Sequence, residues 1–149
     1  MSIGIPTPLK VEHEGLHAEL VALTKAPGKV GETARRVATL LHPHFLKEEE
    51  YALPPLGLLS AAARGDVTPE LRAVVSMTDR LKAELPHMLA EHQEVVASLE
   101  TLAGAGRAEK QPDAVRFAEK LRLHAEFEEQ VLYPAAILVG DHVKARLAG

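Results

Sequence analysis

Two stretches of this chain carry one pattern. His44 to Pro54 reads HFLKEEEYALP, and His124 to Pro134 reads HAEFEEQVLYP. With the histidines superposed, Glu48 falls on Glu128, Glu49 on Glu129 and Pro54 on Pro134. A second pair precedes each copy. Glu12-His13 echoes Glu91-His92, and Leu16, Leu20 and Leu23 are matched by Val95, Leu99 and Leu102. Similarity at a single offset is a duplication rather than a solenoid. It points to two helical hairpins related by a pseudo-twofold axis, each burying the same face.

The hydrophobic spacing is helical throughout. Leu9, His13, Leu16, Leu20 and Leu23 recur at 4-3-4-3, one stripe of a helix that Lys25-Ala-Pro-Gly28 ends. A second helix is expected from about Gly31 to about Leu53, with Val37, Leu40, Leu41 and His44 inward and a bend at Pro43, which lacks an N–H. Pro54-Pro55 and then Ser60 to Asp66 read as a break. Thr68-Pro69-Glu70 reads as a helix start. From Val74 through His92 to Leu102 one 4-3 phase is kept across Pro86, as one kinked helix or two nearly collinear ones, and Gly104-Ala-Gly106 reads as its end. Pro112-Asp113 opens the fourth, with Leu121, His124, Glu128, Val131 and Leu132 on or near one face. No segment alternates with period two over a useful length. The expected class is all-α: an antiparallel up-down four-helix bundle, with an extended, Pro-kinked third helix, as one domain over residues 1–149.

Composition narrows the chemistry. Only 3% of the 149 residues are aromatic while 46% are hydrophobic, so the core is built mainly of Leu, Val and Ala. The absence of cysteine excludes disulfides, thiolate zinc sites, iron–sulfur clusters and thiol nucleophiles. Any metal must be held by imidazole, carboxylate or backbone oxygen. A net charge of −4 without a basic block argues against nucleic acid as the main partner. No apolar run reaches the ~18 residues of a membrane span, and MSIGIPTPLKVEHEG does not read as a signal peptide, so a cytoplasmic, non-membrane protein is expected.

The histidines can meet. From His13 to the first turn is about twelve residues, or ~18 Å of rise, and from the far side of that turn to His44 is about the same. The second hairpin repeats the register with His92 and His124. In each copy of HxxxE, the imidazole and the carboxylate lie on one helix face, one turn apart. Six inward side chains therefore converge as candidate metal ligands: His13, His44, Glu48, His92, His124 and Glu128. Mixed nitrogen and oxygen donors suit iron, with manganese or zinc as alternatives. A lone inward histidine is more often a hydrogen-bonded core residue, and a lone HxxxE more often a surface ion pair. Four histidines at one level, two with carboxylate partners, favour a metal.

Other residues are weaker candidates. His17 lies one turn after His13 at the edge of the stripe, and its echo position is Val96. It reads equally as a further metal ligand or as a residue flanking the site. His42 and His87 fall off the inward stripe, and His142 lies beyond the last clear turn, so all three are expected in solvent. Glu49 and Glu129 point roughly 100° away from the ligand carboxylates. Glu12 and Glu91 read either as solvated helix faces or as groups that orient a ligand imidazole. Phe45, Phe127, Tyr51 and Tyr133 read as packing, or as the lining of a dry pocket for a small ligand.

The four elements, EH at Glu12-His13, HFLKEEEYALP at His44 to Pro54, EH at Glu91-His92 and HAEFEEQVLYP at His124 to Pro134, in this order and spacing, resemble the hemerythrin-like, or HHE cation-binding, domains. The resemblance spans nearly the whole chain. It implies an antiparallel four-helix bundle around two non-haem iron ions, with His13, His44, His92 and His124 as nitrogen ligands and Glu48 and Glu128 as bridging carboxylates. The oxygen carriers of that family have HxxxH on the third helix and HxxxxD on the fourth. Here His92 is followed by Val96, the fourth helix has HxxxE, and the HxxxH pair, His13 and His17, stands on the first. Without His17 the site resembles that of members linked to nitric oxide, peroxide or iron–sulfur repair.

The resulting expectation is a di-iron protein that binds or reacts with a small oxidant: O₂, NO or peroxide. Reversible binding and enzymatic turnover need the same ligands, so the residues do not separate them, and they name no redox partner. The alternatives are iron storage, delivery or repair, and a partner-binding helical module with a structural metal. The last is motivated by the third helix, whose segment from about Thr68 to Leu81 overhangs the second by very roughly 18 Å.

Overall fold

The computed structural model describes residues 3–148. Met1, Ser2 and Gly149 lie outside them, and with them the ends of the expected domain and of the N-terminal stretch. The described chain is helical, without strands. Helix α1 spans Thr7–Thr24 and begins at Pro6 and Pro8, where a missing N–H is harmless. Helix α2 spans Gly28–Lys47 and runs through Pro43, then passes into a π-helical turn, Glu48–Ala52. A 3₁₀ turn, Pro54–Leu58, leads to the short α3, Leu59–Ala63. A further 3₁₀ turn, Pro69–Leu71, opens the long α4, Arg72–Ala108. Helix α5 spans Pro112–Phe127, passes through a second π turn, Glu128–Leu132, and continues as α6, Tyr133–Ala148.

Four rods result: α1, α2 with its π turn, α4, and the α5–π–α6 continuum. One end of their core is aliphatic: Leu16, Leu20, Val37, Leu41, Val95, Leu99, Leu102 and Leu121 are buried together. Burying each such side chain contributes about 1.5–3 kcal/mol. Beyond the middle of the rods a second cluster forms around Tyr51, Leu53, Leu81, Met88 and Tyr133. The histidine–carboxylate layer lies among these residues.

The connection between α1 and α2 is closed from a distance. Gly28 adopts φ +68°, a backbone conformation that favours glycine. The Glu109 carboxylate, just past the end of α4, accepts the backbone N–H groups of Lys29 at 3.1 Å and Val30 at 2.9 Å. It thereby satisfies donors that the start of α2 leaves free, and these bonds hold its pKa below the usual carboxylate value.

Three expectations from the sequence change. Helix α4 does not end at Gly104-Ala-Gly106 but continues to Ala108. Gly106 is there for packing: a Cβ on it would crowd the Ala114 side chain at 3.0 Å. The stretch expected as a break at Ser60 to Asp66 contains α3. The last rod runs past the last clear turn of the sequence pattern: directly after the π turn it continues through Pro134 to Ala148. His142 accordingly lies within α6 and is half-buried.

The overhang of α4 is met by that extra length. Val74 packs with Val139 and Val143 of α6, and with Leu58 and Leu71 from the connecting segment. Gly140 passes so close to Thr78 that a Cβ on it would overlap the Thr78 side chain. The chain covers its own overhang, which removes the motive for a partner there.

Candidate metal centre

The α-helical 4-residue step in HxxxE carries His44 and Glu48 into the core from one rod, and His124 and Glu128 from another. His13 and His92 arrive from the leucine stripes of α1 and α4. All six are buried: His44, Glu48 and Glu128 are at most 1% exposed, and His13, His92 and His124 at most 4%. Their donor atoms form two groups, His44–Glu48–His92–Glu128 and His13–His124–Glu128, within each of which all lie within 4.8 Å of one another. His17 is exposed on α1 and belongs to neither group; His42 and His87 are exposed as well.

Both carboxylates face both groups. Glu128 Oε1 is 3.2 Å from His92 Nε2, and Oε2 is 3.2 Å from His124 Nε2 and 3.6 Å from His13 Nε2. Glu48 Oε1 is 3.5 Å from His44 Nε2 and 3.8 Å from His13 Nε2. Each π turn begins at one of these glutamates, and the defining bonds run from Leu53 N–H and Tyr133 N–H back to the carbonyls of Glu48 and Glu128. Such turns concentrate at functional sites.

A carboxylate also stands behind each imidazole. His44 Nδ1 is 3.1 Å from Glu91 Oε1, His92 Nδ1 is 2.9 Å from Glu129 Oε1, and His124 Nδ1 is hydrogen-bonded to Glu12. Glu49 is 3.9 Å from His13 Nδ1, too long for a hydrogen bond. The pseudo-twofold therefore extends outward: Glu12 matches Glu91 and Glu49 matches Glu129. Ionised carboxylates only accept, so where the bond forms Nδ1 donates and Nε2 presents a lone pair to the interior. His44 Nε2 and His92 Nε2 then face one another at 2.9 Å. Two lone pairs at that distance repel unless a cation or a proton lies with them. Two donors in neighbouring positions on an ion at about 2.1 Å stand about 3 Å apart, and the measured spacings match.

Charge distribution points the same way. Burial, then the neighbouring Glu128, pushes the Glu48 carboxyl well above its usual range. Burial also opposes ionisation of Glu128, but the adjacent Glu48 carboxyl and the imidazoles of His124, His13 and His92 outweigh it and hold Glu128 well below its usual range. Burial lowers His44, with the nearby His92 acting in the same direction. For His92 and His124 burial is outweighed by Glu128, aided by Glu129 and Glu12 respectively, and both are raised. One proton and one negative charge are thus shared across a dry carboxylate pair, an arrangement that a multivalent cation satisfies better. His13 Nε2 and Nδ1, Glu48 Oε1, His124 Nε2 and Glu128 Oε2 are buried without a hydrogen-bond partner among the described residues. His13 Nδ1 faces Glu49 on the outer side, whereas the other four atoms lie around the interior of the cluster, where a metal would satisfy them.

Tyr133, read from the sequence as packing or as pocket lining, reaches the His/Glu cluster itself. Its hydroxyl donates to Glu48 Oε2 at 2.8 Å and lies 3.2 Å from His44 Nε2 and 3.1 Å from His92 Nε2. Burial and the adjacent carboxylates push its pKa far up, so it stays a neutral donor. Phe45 stacks on the His13 ring, 4.2 Å between centroids, while Tyr51 turns away to the Met88 sulfur and Phe127 is partly in solvent.

The chain matches the family model of the hemerythrin HHE cation-binding domain over residues 7–136. It belongs to that family. No curated protein and no solved structure gives a significant match. Membership of the hemerythrin family and the buried His/Glu cluster together fit a metal-binding site. No described helix is long and apolar enough to cross a membrane.

Proposed function

We propose that this hemerythrin-family chain is a non-haem di-iron protein that binds or reacts with a small oxidant, O₂, NO or peroxide, in the core of its bundle. One observation carries the reading: Glu128 belongs to both donor groups, so two ions would lie side by side with a carboxylate between them. His44, His92, Glu48 and Glu128 would hold one, and His13, His124 and Glu128 the other. Iron bound there would supply redox chemistry and coordination positions for the oxidant. The protein's part is separate. Glu12, Glu91 and Glu129 fix the tautomers of three imidazoles. The Tyr133 O–H offers a donor in a water-poor interior. The aliphatic clusters on either side exclude bulk water.

The same reading takes the rods as up-down antiparallel, with α4 bending at Pro86, and takes the setting as the cytoplasm. Manganese or zinc would fit the donors too, and the redox partner is left open. Elemental analysis of protein grown with ample iron, with absorption spectra before and after O₂, NO or peroxide, tests the proposal. About two irons per chain and a spectral change with at least one oxidant are expected. Iron-loaded protein that responds to none of the three would overturn it.

A further inference from the structure

Three of the four imidazoles are held from outside, and the fourth is not. His44, His92 and His124 each have Nδ1 bonded to a carboxylate, that of Glu91, Glu129 and Glu12 respectively. His13 is only 4% exposed, yet its Nδ1 is 3.9 Å from Glu49 and has no hydrogen-bond partner among the described residues. A buried nitrogen left unpaired is costly unless something completes it. Phe45 stacks on the His13 ring and covers one face. The nitrogens stand on its edges, Nε2 towards Glu128 and Glu48 at 3.6 and 3.8 Å, Nδ1 towards Glu49. The ring thus separates the interior of the centre from what lies outside it, and no hydrogen bond has to break for it to turn.

Outside Nδ1 is a cavity of about 180 Å³, lined by Ile5, Lys10, His13, Glu14, Glu49 and Leu53. Ile5 and Leu53 are its apolar walls. Glu14 and Glu49 are exposed and bring two carboxylates to a cavity that ends on the imidazole. Carboxylate oxygens with an imidazole nitrogen are donors for which a hydrated divalent cation of the iron or manganese kind exchanges its water.

The duplication supplies the comparison. With His13 on His92, Glu14 falls on Gln93 and Glu49 on Glu129. A cleft of about 380 Å³ reaches that copy and includes His92, Gln93 and Glu129. It is the wider of the two, but an amide replaces one carboxylate there, and the other is engaged with His92 Nδ1 at 2.9 Å. Arg122 also lines it and binds Glu126 at 3.2 Å. A cation arriving by that cleft meets a guanidinium and a ring whose outer nitrogen is occupied.

We propose that metal enters the centre on the His13 side: a divalent cation is first held in this cavity by the carboxylates of Glu14 and Glu49 and by Nδ1 of His13, and passes inward as that unrestrained ring turns. The proposal rests on the metal-centre reading above. Lys10 is exposed on the same rim and weakens the attraction, but the two carboxylates leave the mouth net negative. Such a field raises the local concentration of a cation and its rate of entry, within the reach that salt allows.

The test uses the full chain, freed of metal with a chelator, and cobalt(II), whose visible absorption reports its own binding to nitrogen and oxygen donors. Uptake is followed by stopped flow, and cobalt per chain is counted at the end. Glu49→Gln is expected to slow uptake by about threefold or more at low salt, the gap closing as salt rises and the final cobalt content staying the same. Lys10→Gln is expected to speed uptake by about twofold or more. Glu100→Gln, at an exposed carboxylate of the other cleft, removes the same charge and is expected to leave the rate unchanged. All three positions are on the surface, so the fold is not endangered. An unchanged rate in Glu49→Gln, or equal slowing by Glu49→Gln and Glu100→Gln, overturns this entrance and leaves the centre standing. A parent chain that holds neither iron nor cobalt overturns the metal-centre reading, and the entrance with it.

Discussion

Glu91 accepts a hydrogen bond from His44 across the bundle, Oε1 to Nδ1 at 3.1 Å, and its symmetry mate Glu12 does the same for His124. The two glutamates adjoin the other two histidines in sequence, so each EH dipeptide serves two imidazoles: its own and one on a neighbouring rod. Lys47 holds Glu91 in place, Nζ to Oε2 at 3.0 Å. Burial disfavours the Glu91 charge, but the bonds from Lys47 and His44 outweigh it and lower its pKa. A carboxylate kept ionised behind an imidazole fixes the ring and makes Nε2 a better donor.

Replacing Glu91 by Gln removes that charge with little change of shape. Metal affinity, measured by competition with a chromophoric chelator, is expected to fall about 10- to 100-fold, with helix content unchanged by circular dichroism. Glu12→Gln should act alike on the other half. Affinity within twofold of the parent in both variants would mean that the outer carboxylates are only solvated neighbours.

Glu128 is the one side chain in both donor groups, so its loss should be felt by both ions. Loading a folded protein at about 1,000 times Kd stabilises it by about 4 kcal/mol. In Glu128→Gln that metal-dependent rise in Tm is expected to disappear, and iron per chain to fall below one. His17→Ala is the contrast: this ring is exposed and outside both groups, so iron content and Tm should stay as in the parent.

The six residues selected by spacing are the six that the structure brings together, because a 3.6-residue period and a duplication are both visible in one chain. The same spacing left Tyr133 as packing or pocket lining and did not show its contact with Glu48 and the imidazoles. Counted in α-helical steps from Glu128 the residue turns away from the carboxylate. The π turn inserts an extra residue and brings it back. Nothing in EEQVL announces a π turn except that it recurs at EEEYA. The length of the last rod was hidden for a different reason. Pro134 looks like a terminator, yet the rod passes through it directly after the π turn, and α6 is apolar on more than one side, with Leu138 66% exposed. Gly106 misled in a similar way, since a glycine needed for close packing reads like one needed for a turn, while Gly104 has open space around it and simply lies within the helix.

The contact of Gly140 with Thr78 gives a test of the part of the fold that does not touch the centre. A side chain at position 140 must displace Thr78 or push α6 from α4. Gly140→Val is expected to lower stability by about 1–3 kcal/mol in denaturant titration, with iron per chain retained. A loss of iron in a variant that still folds would instead show that the α4–α6 contact positions the metal ligands.

The centre should also invert the pH dependence of stability. In the metal-free protein, His92 and His124 are raised from the usual imidazole value, burial being outweighed by Glu128 and the outer carboxylates. Glu48 is raised by burial and by Glu128. A group whose folded pKa is raised binds more protons folded than unfolded. Its contribution is complete below the unfolded pKa and is lost as pH climbs through the folded one. His44 and Glu128 are shifted the other way, but their contributions change only below their unfolded values, about 6.5 and 4.3. Above pH about 6.5 the raised His92 and His124 therefore set the trend, and Glu48, also raised, acts in the same direction. Calorimetry of chelator-treated protein is expected to show Tm falling from pH about 6.5 to about 8.5. With iron bound the ions replace those protons, and binding strengthens as the imidazoles deprotonate, so Tm should hold or rise over the same window. A metal-free Tm that stays flat or rises across it would mean that these imidazoles and Glu48 carry no extra proton in the folded chain, and that the lone pairs of His44 and His92 are kept apart by some other rearrangement.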